Sequence, residues 1–117
     1  MELLNKLRNC TLKEIKKTDN DVTLVFFDEE QATKYRLSFI GYVFETPLSP
    51  VGKKVEFGIE SHTLGFKAFS QINFHNQNPT HYTQLFFKME SPDENFKSEL
   101  ICVYKKIRYR IIKDAIL

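Results

Sequence analysis

Tryptophan is absent from this chain of 117 residues, and glycine (4), proline (4) and cysteine (2) are scarce. With so few glycines there is no G-x-G-x-x-G loop, no P-loop and no G-x-S-x-G nucleophile elbow. Gly52-Lys53-Lys54 shares only the end of a P-loop, without the preceding glycine or the following hydroxyl residue. The same scarcity of Gly and Pro excludes a collagen-like segment or a flexible linker. No apolar run approaches the roughly 18 residues of a membrane helix. The start, Met1-Glu2-Leu3-Leu4-Asn5-Lys6-Leu7-Arg8, lacks the apolar stretch of a secretory signal. The expectation is a cytoplasmic protein without membrane contact. Cys10 and Cys102 are then expected as reduced, buried thiols, and Asn9-Cys10-Thr11 as a chance match to a glycosylation acceptor. Neither charge sign dominates. Lys+Arg (17) against Asp+Glu (15) gives a net charge of +2, which fits neither a polycation nor an acidic tail.

What the chain does have is phenylalanine. Eleven Phe and five Tyr offer far more apolar surface than a disordered tail carries, and the length suits a single domain over 1–117. Lys outnumbers Arg thirteen to four, a bias that suits an AT-rich, bacterial coding genome.

Turn-forming clusters fall at Asp19-Asn20-Asp21, Asp28 to Gln31, Thr46 to Gly52, His75 to Thr80 and Ser91 to Asn95. The pieces between them are short and alternate with period two. Val55, Phe57 and Ile59 alternate with polar residues in 54–60; Phe66, Ala68, Ile72 and Phe74 share a face in 66–75; Leu85, Phe87 and Met89 do so in 82–90. Val22-Thr23-Leu24-Val25-Phe26-Phe27 is apolar on both faces and reads as a central strand. Around Gly41 the apolar phase moves from Tyr35, Leu37 and Phe39 to Ile40, Tyr42 and Phe44, which predicts a β-bulge there.

Both termini admit two readings. Residues 1–17 suit one helix, or a short helix at 2–9 followed by a strand at 11–17; the hairpin-like Asp19-Asn20-Asp21 favours the second. Ile101, Val103, Ile107, Tyr109 and Ile111 share odd parity, favouring one long bent strand to about 112, although 104–116 also suits a terminal helix. The predicted fold is mainly β, or α+β if the termini are helical: an antiparallel meander of about seven strands curled into a sandwich or partial barrel.

Chemistry-bearing residues are sparse. His75 and His81 end one polar loop, with His62 further off, but no Cys or carboxylate close in sequence completes a metal set. Cys102 sits in an apolar run that favours inertness, and Cys10, with better prospects of exposure, has no neighbouring cation to activate it. Glu56, Glu60, Glu90 and Glu99 alternate with apolar residues as the solvated side of strands does. No catalytic, cofactor-binding or metal-ligating residue is therefore expected.

The least even feature is the basic stretch Lys105, Lys106, Arg108, Arg110, Lys113. As a strand it projects Lys106, Arg108 and Arg110 from one face, roughly 6.6–6.8 Å apart. These residues and Lys113 are the candidate contacts for a polyanion or protein partner, and cross-strand pairing with glutamates is the ordinary alternative. A non-enzymatic, protein-interaction role of adaptor or toxin-neutralising type is expected, through a protein partner or self-association. Single-stranded nucleic acid bound by the basic stretch is the second reading. The third is a carrier of a small apolar ligand, with Phe26, Phe39, Phe57, Phe66, Phe74 and Phe87 lining a cavity.

Overall fold

The short alternating pieces assemble into one six-stranded antiparallel sheet in a computed structural model that describes residues 2–19, 21–46, 48–64, 81–90 and 98–114. A single turn of helix, α1 (Leu3–Leu7), precedes strands β1 (Thr11–Lys17), β2 (Asp21–Asp28), β3 (Thr33–Glu45), β4 (Val55–Ser61), β5 (Thr83–Met89) and β6 (Ser98–Ile112). The strand order is β1-β2-β3-β6-β5-β4. Two three-stranded meanders are thus joined through the β3–β6 pair. The helix-then-strand reading of 1–17 holds, as does a single strand running to residue 112. The strand expected at 66–75 and the loops at 75–80 and 91–95 lie outside the described residues.

The sheet curls without closing into a barrel. At one end its two edges are tied: the Asn9 and Val55 amides donate to Val55 O (2.8 Å) and Cys10 O (2.9 Å), and the Leu12 amide donates to Lys53 O (3.0 Å). Past these bonds both edges break register, with shifts between Leu12 and Glu14 in β1 and between Val55 and Phe57 in β4. Bulges of this kind bend and twist a strand, and here they coincide with the point where the edges part.

Inside the curl, α1 contributes Leu3, Leu4 and Leu7 to a core that also holds Leu24, Phe26, Leu37, Leu85, Phe87 and Leu100. A second, smaller apolar cluster lies on the outer side of the sheet around Ile101, Val103 and Tyr82, with Phe44, Leu64 and Phe86 against it.

Two readings of strand phase need correction. The bulge at Gly41 exists, but the extra residue belongs to the partner: Ile40 pairs with Lys106 and Gly41 with Tyr104, leaving Lys105 unpaired in β6. β3 therefore keeps its phase, and Ile40, Tyr42 and Phe44 lie on its outer side. β6 changes phase instead, so Leu100, Cys102 and Tyr104 face inward before the bulge and Ile107 and Ile111 after it. Gly41 is needed because a Cβ there would land on the Val103 carbonyl oxygen. In β4 the register shift turns Phe57 and Ile59 outward, both exposed, while Val55 stays buried. Gly58 then faces Leu4 and Phe87, whose carbons stand only 3.0–3.1 Å from where its Cβ would be.

Candidate functional site

β3 and β6 run side by side with Lys34 opposite Ile112, Arg36 opposite Arg110, Ser38 opposite Arg108 and Ile40 opposite Lys106. In β3 these residues alternate with the buried Tyr35, Leu37 and Phe39, and in β6 with Ile107 and Ile111. They therefore share the outer face. Register extends the face across β2 and β1: Arg36 neighbours Val25 and then Glu14, and Ser38 neighbours Thr23 and then Lys16. Among the described residues, six cations (Lys16, Lys34, Arg36, Lys106, Arg108, Arg110) share this face with two carboxylates, Glu14 and Asp21. None of the six belongs to an ion pair among the described residues.

No described glutamate is therefore ion-paired with Lys106, Arg108 or Arg110. Arg110 meets Arg36, a like-charge pair of the kind that destabilises a sheet. Of the residues expected to act together, Lys106, Arg108 and Arg110 do lie on one face. Lys113 does not: it lies beyond β6, lining a polar cleft of about 710 Å³ between α1 and the turn at 29–32, with Arg8, Lys54, Asp28 and Glu30. Sequence reasoning missed Arg36, Lys34, Ser38 and Thr23. Arg36 carried a signal, as a cation alternating with apolar residues, but its meeting with Arg110 depends on non-local pairing.

Between the strands the outer face dips into a depression of about 410 Å³ bordered by Asp21, Thr23, Ser38, Ile40, Lys106 and Arg108. Among its lining residues are two half-buried hydroxyls, Thr23 Oγ1 and Ser38 Oγ, 3.3 Å apart and hydrogen-bonded to each other. Beyond it the same face turns apolar. Ile40 and Tyr42 continue the outer row of β3 and are 49% and 42% exposed, enough to leave anchor-sized side chains in water. Across the sheet, Phe44, Ile101, Phe86 and Ile59 stand in one outer row.

The other chemical candidates are placed where they do little. Cys10, expected to be the more exposed thiol, is fully buried, and its Sγ donates to the Lys6 carbonyl at 3.3 Å. Burial, and secondarily the Asp28 carboxylate, pushes that thiol up to about 12. Burial alone raises Cys102. Neither forms a disulfide. His62 is exposed beside Glu60, 3.7 Å away, and His81 is exposed; His75 lies outside the described residues. Glu56 pairs with Lys88 at 3.8 Å, whereas Glu60 lies in register with the inward Leu85. There it helps burial to raise Tyr104 to about 12. Among the described residues no three His, Cys, Asp or Glu side chains are grouped to hold a metal ion, and no helix is long and apolar enough to cross a membrane. Of the phenylalanines assigned to a cavity, Phe26, Phe39 and Phe87 are buried in the core, Phe57 is outside it, and Phe66 and Phe74 are not among the described residues.

Comparison with protein families, with characterised proteins and with solved structures finds no match to this chain.

Proposed function

We propose that this protein is a non-enzymatic binding domain that uses the outer face of β3 and β6 to hold an acidic protein partner, an adaptor or toxin-neutralising type of role in the cytoplasm of a bacterium. One observation carries the reading: the outer row of β3 runs Lys34, Arg36, Ser38, Ile40, Tyr42, from cations to exposed apolar side chains, beside Lys106, Arg108 and Arg110 of β6. Uncompensated cations steer an acidic surface to the face and fix its register. An adjoining apolar anchor supplies the desolvated contact on which most binding energy usually rests.

Single-stranded nucleic acid is the second reading, favoured by the two-residue repeat of cations in β6. Tyr42 and Phe57 of this face could stack on bases, but Ile40, the exposed side chain opposite Lys106, is aliphatic and suits a protein contact better. The contact between the Phe26 and Phe87 rings occupies interior space that an apolar-ligand carrier would keep open.

Fluorescence anisotropy with a labelled glutamate-rich peptide and with an oligothymidylate of equal net charge separates these readings. The peptide should bind wild-type protein more tightly, and both Arg36→Glu and Ile40→Asp should weaken it. Preference for the oligothymidylate, unchanged by Ile40→Asp, would replace the protein partner with nucleic acid.

A further inference from the structure

Three of the chain's four arginines (Arg36, Arg108 and Arg110) meet on this one face, in a protein that otherwise uses lysine. Lysines suffice to keep a strand edge soluble. Guanidinium groups do something more specific: their planar forks grip phosphate or carboxylate oxygens with paired hydrogen bonds. We infer that Arg36, Arg108 and Arg110, with the Thr23–Ser38 hydroxyl pair, form a site for a phosphoryl group carried on a side chain of the acidic partner; this rests on the protein-partner reading above.

The register gives the site its shape. Arg36 and Arg110 are direct cross-strand neighbours, and Arg108 lies two residues along β6, opposite Ser38. Directly opposed side chains have Cβ atoms about 5 Å apart, so long guanidinium arms from the three positions can converge on one group. The Thr23–Ser38 hydrogen bond uses one hydroxyl proton of the two, leaving the other to donate outward into the depression. Of the three arginines only Arg108 lines the depression, with Lys106, while Arg36 and Arg110 stand beside it. Asp21, opposite Ile40, lies further from Arg110 and repels an anion toward the arginines.

Charge balance selects the ligand. One carboxylate brings a single negative charge to three guanidinium groups. A phosphate monoester brings about −1.5 to −2 and three strong acceptor oxygens, which match three forks and a hydroxyl donor far better. The Arg36–Arg110 repulsion that burdens the free sheet is then relieved by the bound group.

The test compares three labelled versions of one glutamate-rich peptide, with a central phosphoserine, serine or glutamate, and an oligothymidylate matched in charge to the phosphopeptide. The phosphopeptide should bind at least about tenfold more tightly than the other two peptides, with millimolar inorganic phosphate competing. Arg36→Lys and Arg110→Lys keep the charge and lose the fork, so each should shrink that preference to about threefold or less while the unmodified peptide still binds. Circular dichroism of both variants verifies folding. Equal affinity for the three peptides would overturn the phosphoryl site and leave the acidic-partner reading standing. Failure of all three to bind, or tighter binding of the oligothymidylate, would overturn both.

Discussion

The rings of Phe26 and Phe87 lie 5.4 Å apart at a tilt of 45°, although β2 and β5 are separated in the sheet by β3 and β6. The contact spans the hollow of the curl and defines how far its two halves fold toward one another. Both side chains are fully buried, so removing either ring leaves a cavity at the centre of the core.

Phe26→Ala and Phe87→Ala should each lower stability by about 3–5 kcal/mol. Urea denaturation followed by circular dichroism checks this. Because the rings touch, the double variant should lose less than the sum, by about 0.5–1.5 kcal/mol. Strict additivity would mean that the two halves of the sheet do not lean on each other here.

Gly41→Ala should be among the most damaging small substitutions in the chain. The added methyl meets the Val103 carbonyl oxygen and comes within 2.8 Å of Tyr104 Cα, and backbone at a bulge has little room to retreat. A loss of about 3 kcal/mol or more is expected in the same urea assay. Gly52→Ala has open space around its Cβ but φ of +89°, so it should cost only about 1–2 kcal/mol.

The opposed Arg36 and Arg110 predict a conflict between stability and binding. Arg110→Glu converts a like-charge pair into an opposite one and should raise stability by about 0.5 kcal/mol at low salt. The gain should fade as sodium chloride screens both proteins. Affinity for the glutamate-rich peptide should fall at the same time. A variant both less stable and still binding would remove the charge argument.

Alkaline pH should weaken the fold. Cys10 is held up to about 12 by burial, while an unfolded cysteine ionises near pH 8.5–9. The folded state therefore keeps its proton where the unfolded chain releases it, and stability falls as pH rises. The contribution of Cys10 is intact below about pH 8.5 and is lost progressively as pH climbs toward 12. The urea midpoint should drop between pH 8 and 10.5 on the order of several tenths molar, and Cys10→Ser should flatten that part of the profile.

Much of this fold was legible in the sequence because strand alternation and turn chemistry are local. Leu85, Phe87 and Met89 in β5 needed only period two, and Asp19 to Asp21 marked the first hairpin. The phases of β4 and β6 were not legible. Each bulge inserts one residue, Glu56 or Lys105, where two backbones approach, and only packing reveals which strand absorbs it. The glycines beside those places were visible; their meaning depended on Leu4, Phe87 and Val103, all distant in sequence. The basic face shows the same division. Lys106, Arg108 and Arg110 announce themselves as a repeat, but Arg36, Ser38 and Thr23 join them only through pairing across three strands.

Amide chemical-shift mapping by nitrogen-15 NMR, during titration with the phosphoserine peptide, tests most directly whether this outer face is where the protein binds. Perturbations should concentrate at Thr23, Arg36, Ser38, Ile40, Tyr42 and 106–110, with little change at Asn5, Arg8 or Lys113. Shifts confined to the cleft around Arg8, Glu30 and Lys113, with Arg36 and Arg108 unmoved, would contradict binding at this face.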